Sequence, residues 1–388
     1  MVVEASDGIG GRARSDRVDG FLLDRGFQVL QCAYPEAQRV LDYDSLKLRS
    51  FYPGALVRFG GRFHLVGDPL RRPQDVWETL KSPIGTIGDK LRVGRLRTRI
   101  GTGSLESLFS RPETTTIQAL QRAGFSDKMI ERFFQPLFCG VFLSKDLEAS
   151  SRVFEFVFRM FATGETALPS QGMGAIAAQM ASRLASGNIR TNARTGSVKP
   201  GSVVLVNGEE VRGRAVVIAT EGPEAARLLG EGTRNKSRSA TCIYFSAAEA
   251  PIEKPILVLN GEGTGPINSL CIPSQVAPAY APKGQSLISV TVIGIEQDHS
   301  IEVEDAVQSQ LKEWFGPAVD GWRHLKTYQI SHALTDQAPP SFSPLDQPVR
   351  ISPGLFVCGE HRSMPSIQWA LYSGRRCAAA VLEDLSRG

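Results

Sequence analysis

No two cysteines of this 388-residue chain stand at C-x-x-C spacing; Cys32, Cys139, Cys242, Cys271, Cys358 and Cys377 are far apart. Neither a zinc site nor a disulfide framework organises such a chain, and buried free thiols are the expectation. An excess of one charge is missing too, because 44 basic against 40 acidic side chains leave a formal charge of +4. That is far below the basic surplus of a nucleic-acid-binding domain, so no nucleic acid partner is expected. Apolar runs all stop short of the roughly 18 residues of a spanning helix. The first residues also lack a basic-then-apolar leader, which predicts a soluble or surface-bound protein. Histidine is scarce: His64, His299, His324, His332 and His361 are scattered, and each is expected to be structural. With no G-x-S-x-G elbow, no H-E-x-x-H helix and no P-loop, serine-hydrolase, zinc-protease and P-loop phosphate chemistry are set aside, and no metal is expected.

What is present is an ordinary globular composition, 42% hydrophobic with 38 glycines, long enough for two or three domains. Met1-Val2-Val3-Glu4 reads as the end of a buried strand without a lead-in, as though the chain opened inside a fold. Gly8-Ile9-Gly10-Gly11-Arg12 follows as a glycine-rich loop, and the alternation of Phe21, Leu23 and Arg25 predicts an extended segment after it. Gly8-x-Gly10-x-x-Ala13 has the form of a dinucleotide fingerprint, but that motif must open a helix, and here the sequel is extended. Glu4 offers a better use of the same rules. A carboxylate ending the second strand of a βαβ unit holds an adenosine ribose about 20 residues after the phosphate loop, which places that loop ahead of residue 1.

Further along, residues 68 to 100 carry eight basic side chains (Arg71, Arg72, Lys81, Lys90, Arg92, Arg95, Arg97, Arg99) against Asp68, Asp75, Glu78 and Asp89. With Leu91, Leu96 and Ile100 near helical spacing, the segment reads as a solvated helix face, the alternative being a helix on a membrane surface. Of 19 phenylalanines, those at 133, 134, 138, 142, 154, 156, 158 and 161 crowd one stretch, as dense core or as the wall of an apolar pocket. Val153, Val157 and Phe161 share a helical face while Phe154, Phe156 and Phe158 alternate; helix is the preferred reading and core the preferred role. A turn at Pro169 to Gly174 precedes an alanine-rich helix through Leu184. Val203 to Val206, an Asn207-Gly208 hairpin and Val211 then lead to Ala215-Val216-Val217-Ile218-Ala219, read as a meander whose third strand feeds a central sheet. Strands are expected from Ser286 to Ile295, a helix from Val303 to Trp314, turns at Ala338-Pro339-Pro340, a strand at Leu355 to Cys358, and a long helix from Ser366 to Leu385.

Six segments, in order, resemble the flavin amine oxidase, phytoene desaturase and protoporphyrinogen oxidase superfamily. Glu4 to Arg12 is similar to its strand-end acid and G-G-R segment, and Leu23 to Gln28 to the segment that passes the flavin. Pro169 to Gly174 is similar to its P-x-G-G-M stretch, with Gln171 replacing a glycine. Ala215 to Leu229 resembles a strand and following loop, and Tyr328 to Leu334 the approach to the last strand. Phe356-Val357-Cys358-Gly359-Glu360 and Ser366 to Arg376 resemble the C-terminal flavin motif, with Trp369 where the family usually has glycine, so that the helix start is expected to sit differently against the ring.

The resemblance implies an α/β fold: a Rossmann-like FAD-binding domain, N-terminally truncated, from residues 1–45, 171–235 and 336–388, with an inserted α+β substrate domain from 46–170 and 236–335. It implies FAD, held by Glu4, Gly10, Gly11, Arg12, Gly26, Phe27, Gln28, Val198, Gly359, Glu360, Ile367 and Gln368. Glu360 would accept from a ribityl hydroxyl, Arg12 would meet a phosphate, and the helix N-terminus at Ile367 would face the pyrimidine edge, where reduction places negative charge. His361, next to Glu360, would lie near the cofactor. The implied reaction is removal of a hydride and a proton from a C–C or C–N bond. The phenylalanine-rich stretch favours a bulky apolar substrate, carotenoid-like or tetrapyrrole-like. The alternatives are a flavin amine oxidase, which would place a lysine near the flavin N5, a role that Lys283 matches by region alone and that is not assigned to it, and a truncated non-catalytic relative serving as a scaffold. Peripheral membrane contact, in a cytoplasm or plastid stroma, goes with the apolar substrate.

Overall fold

The computed structural model describes residues 1–232, 236–294, 300–340 and 345–387; His299, Ile295 and the boundary at 235 lie outside the described residues. A seven-stranded sheet dominates. Its order is Arg323–Thr335, Ser237–Ala247, Ser286–Ile293, Ile267–Cys271, Leu257–Asn260, Gly54–Phe59 and Arg62–Gly67. All neighbours are antiparallel except Leu257–Asn260 against Gly54–Phe59.

The period of two along a strand sorts its side chains between two cores. In Ser237–Ala247, Cys242 and Tyr244 enter the larger core, while Ile243, Phe245 and Ala247 enter a second one. Ser286–Ile293 divides likewise, with Leu287 on one side and Ile288, Val290 and Val292 on the other. The second core is closed by Val303, Val307, Leu311 and Trp314 of the helix Ser300–Phe315. Both faces of these central strands are covered, which is why they read as nearly unbroken apolar runs.

The first core holds the phenylalanine-rich stretch. Ser151–Thr163 is a helix, with the Ser150 side chain accepting from Arg152 N–H at its start. Phe154 and Phe156 therefore lie on a broad buried face instead of alternating across a sheet. The helix stops at Gly164, where a Cβ would stand 2.4 Å from that of Ala33, a backbone approach open only to glycine. Ile87–Gly101 is the helix read from the basic segment, begun by a reciprocal capping box between Thr86 and Asp89. The alanine-rich helix runs Gly174–Ala181, shorter than its composition predicts. The last helix, Ile367–Arg387, is 21 residues long.

The remaining strands are short. Val2–Val3 pairs in parallel with Ile189–Arg190, and Val216–Ile218 with Leu355–Val357, which Arg350–Ser352 flanks on its other side. The meander is Thr195–Lys199, Ser202–Leu205 and Glu210–Arg212. The expected third strand, Val216–Ile218, belongs to the parallel pair instead, since its apolar side chains join Leu355 and Val357 in a separate small core. The glycine-rich loop leads into the strand Ser15–Val18, not a helix.

Candidate functional site

One cavity of about 2030 Å³ runs through the molecule. Its lining reaches the surface at the exposed Met1 and again at Leu70 and Leu91, which are 73% and 71% exposed. Glu4, Gly10, Gly11, Arg12, Gly26, Phe27, Gln28, Val198, Gly359, Glu360 and Ile367, drawn from widely separated segments, all line this cavity. Gln368 does not: it is buried, and its Oε1 accepts from the Glu36 N–H at 2.8 Å, fixing the final helix against the helix at Pro35.

The polar groups are held by their neighbours. Glu4 Oε1 accepts from both the N–H and the hydroxyl of Ser6 at 2.8 Å, orienting the carboxylate at the strand end. Gly10 and Gly11 have φ of +109° and +56°, and a Cβ on Gly10 would meet the Ala13 carbonyl at 2.5 Å, so the loop's path requires glycine there. Gln28 Nε2 donates to the Arg12 carbonyl at 2.8 Å and secures the same loop. The Arg12 guanidinium donates to Glu360 Oε1 at 2.8 Å and to the Ala333 carbonyl at 2.7 Å, so it orients Glu360. Thr335 Oγ1 also donates to Glu360 Oε1, at 3.0 Å, whereas Oε2 is buried without a hydrogen-bond partner.

His361 was expected near this centre, and it lines the cavity with both ring nitrogens buried and unpartnered. Burial holds it below its ordinary pKa, as the neutral imidazole. It packs on Gly222, where a Cβ would lie 3.3 Å from the His361 Cβ and 3.4 Å from its ring Cγ. The other described histidines lie outside the cavity lining: His64 Nε2 sits 3.0 Å from the Phe59 carbonyl, His324 Nε2 2.9 Å from Thr327 Oγ1, and His332 is exposed. Trp369 also points elsewhere. Its ring packs on Phe109, Phe156 and Tyr372, with centroids 5.5, 5.8 and 5.2 Å away, inside the main core. The bulk that replaces the family's glycine is thus absorbed away from the cavity, while Pro365, Ser366 and Ile367 at the helix start still face it.

Phe133, Leu137, Phe156, Val157, Phe158 and Phe161 form an apolar wall. Sequence reasoning missed Thr220, Glu221 and Glu224, which also line the cavity; the Gly222-Pro223 pair after an apolar strand was the available signal, since proline at the first helical turn marks a helix start. Lys283 is not among the lining residues. Lys90 is the lysine that lines the cavity, and its Nζ donates to the Leu80 and Ser82 carbonyls.

Nearby lies a buried latch. Asp24 is 3% exposed and accepts from Ser15 Oγ at 2.5 Å, Tyr280 OH at 2.7 Å and Met173 N–H at 2.8 Å. Desolvation pushes it up to about 6 against those three bonds.

The site residues gathered on one cavity beside a mixed sheet agree with a family match that makes the protein a flavin-dependent oxidoreductase. The chain belongs to the flavin containing amine oxidoreductase family, whose profile matches residues 1–382. Comparison with curated protein sequences gives no match. Among solved structures, an oxidoreductase from Methanosarcina mazei superposes with a TM-score of 0.72 at 17% identity, covering 98% of this chain and 93% of that one. A protoporphyrinogen oxidase-like protein from Exiguobacterium sp. 255-15 gives 0.72 at 16%, covering 98% and 92%. Putrescine oxidase bound to putrescine gives 0.66 at 14%, covering 98% and 93%. At such identities the likeness is one of fold.

Proposed function

We propose that the flavin is FAD and that the protein removes a hydride and a proton from a C–C or C–N bond of a bulky apolar substrate, of carotenoid-like or tetrapyrrole-like shape. The observation that carries this reading is the continuity of the cavity from Glu4 and Glu360 to the phenylalanine wall. The residues present suit the cofactor: the free Oε2 of Glu360 is an acceptor for a ribityl hydroxyl, and burying it unpaired would otherwise cost about 1–3 kcal/mol. Glu4 would accept from the adenosine ribose. The helix start at Ile367 would place N–H groups and a positive dipole end at the pyrimidine edge, favouring the negative charge that reduction brings. Arg12 keeps Glu360 aimed by its hydrogen bond, and the phenylalanine wall excludes water. Bound flavin would supply the hydride acceptor.

The absence of Lys283 from the lining, and the carbonyl bonds of Lys90, favour this reading over a small-amine oxidase. The test is anaerobic reduction of the purified, FAD-loaded protein, followed by bleaching of the flavin band. A lipophilic polyene or reduced tetrapyrrole should reduce it and putrescine should not; reduction by putrescine alone would overturn the substrate class.

A further inference from the structure

The helices Val76–Lys81 and Ile87–Gly101 present an outer face that the rest of the fold leaves uncovered. Leu70, Trp77, Ile87 and Leu91 are 73%, 73%, 66% and 71% exposed. Ile87 and Leu91 lie one turn apart on the same side of their helix, opposite the inward stripe of Leu96 and Ile100. The helix is thus apolar on two sides, one packed and one bare. Lys90 bridges the two helices by donating to the Leu80 and Ser82 carbonyls at 2.9 and 2.8 Å, so the apolar residues ride on one joined surface.

The charge on that surface is one-sided. Asp89 is buried, held by Thr86 and Ser126 and paired with Arg92, Asp75 is bonded to Tyr52, and Asp68 is paired with Arg71 and Arg97. Glu78 is the acidic side chain left exposed, against exposed Lys81 and Arg95. Large apolar side chains interleaved with unopposed cations suit the headgroup region of an anionic bilayer, where each satisfies a different layer of the interface. A second copy of the same surface would bring like charges together.

We propose that this face docks the protein on an anionic lipid surface, with the part of the cavity lining at Leu70 and Leu91 turned toward the lipid. The docking is independent of which substrate the cavity takes.

Trp77 makes this directly testable, because the other three tryptophans, Trp314, Trp322 and Trp369, are buried. The full chain is mixed with phosphatidylcholine vesicles containing about one-third phosphatidylserine, and with phosphatidylcholine alone. Co-sedimentation with the anionic vesicles and a blue shift of the emission are expected. Trp77→Ser combined with Ile87→Ser should lower the bound fraction at least ten-fold, with an unchanged melting temperature since both side chains are exposed. Lys81→Glu with Arg95→Glu should remove the preference for the anionic vesicles. The proposal is overturned if the wild type stays in the supernatant, if the apolar variant binds as well as the wild type, or if ultracentrifugation shows a dimer that the apolar variant splits and that does not bind vesicles.

Discussion

Asp24 is a carboxylate whose energetics can be read from its surroundings alone. Its pKa in the fold, about 6, lies above the ordinary 3.8, so the folded state prefers the protonated form. Stability from this group is therefore fully present below pH 4 and is lost as the pH rises through about 6. The difference of the two values corresponds to roughly 3 kcal/mol between pH 4 and pH 8. Asp24→Asn, which cannot ionise, should gain on the wild type by a margin of that order over the same range. Urea unfolding of both proteins at pH 4, 6 and 8 would show it, and parallel curves would contradict it. Glu360 gives a second outcome at this scale. Glu360→Gln keeps an acceptor for Arg12 but loses the carboxylate that faces the cavity, so FAD affinity should fall at least ten-fold in a fluorescence titration while the apoprotein's melting temperature moves little. Glu360 and Arg12 were legible in the sequence because each sits in a short local pattern. The latch at Asp24 was not, since its partners Met173 and Tyr280 are 149 and 256 positions away and no periodicity links them.

At the scale of elements, the helix Ser151–Thr163 shows how a residue pattern can be ambiguous and still fold one way. Phe154, Phe156 and Phe158 fit a strand as well as a helix on spacing alone; the cap at Ser150 and the length of the apolar stretch favour the helix. Its faces then separate two roles that the sequence offered as alternatives for the whole stretch. Phe154 is 1% exposed and packs edge-on to Phe138 and Phe134, at 4.7 and 6.2 Å between centroids. Phe158 is half-buried and lines the cavity. Phe154→Ala should therefore cost about 3–5 kcal/mol, as for a packed ring, and Phe158→Ala clearly less. Phe158→Ala should instead alter the rate at which a lipophilic donor reduces the flavin. Chemical denaturation beside stopped-flow reduction separates the two, and equal stability losses would merge both residues into the core.

For the whole molecule, the order of motifs along the chain conveyed the family, whereas the largest sheet was nearly invisible. Its parallel contact joins Gly54–Phe59 to Leu257–Asn260, segments some 200 positions apart, and neither carries a local sign of the other. Register is set there by which side chains suit which of the two cores, a property of the assembled sheet. The short parallel strands differ in another way. Among the described residues, Val2–Val3 pairs only with Ile189–Arg190, and Val216–Ile218 only with Leu355–Val357. Each keeps one edge free, and residues of both strands line the same cavity. A free strand edge is suited to complementation in trans, because an extended peptide can bond to its open N–H and C=O groups and lengthen the ladder. A synthetic strand followed by a G-x-G-x-x-G turn should thus raise the melting temperature in proportion to the logarithm of its concentration once saturating, and its glycine amides should tighten FAD binding, whereas a scrambled peptide should do neither. The cavity that receives the cofactor would then also be the place where the protein accepts a piece of backbone from outside.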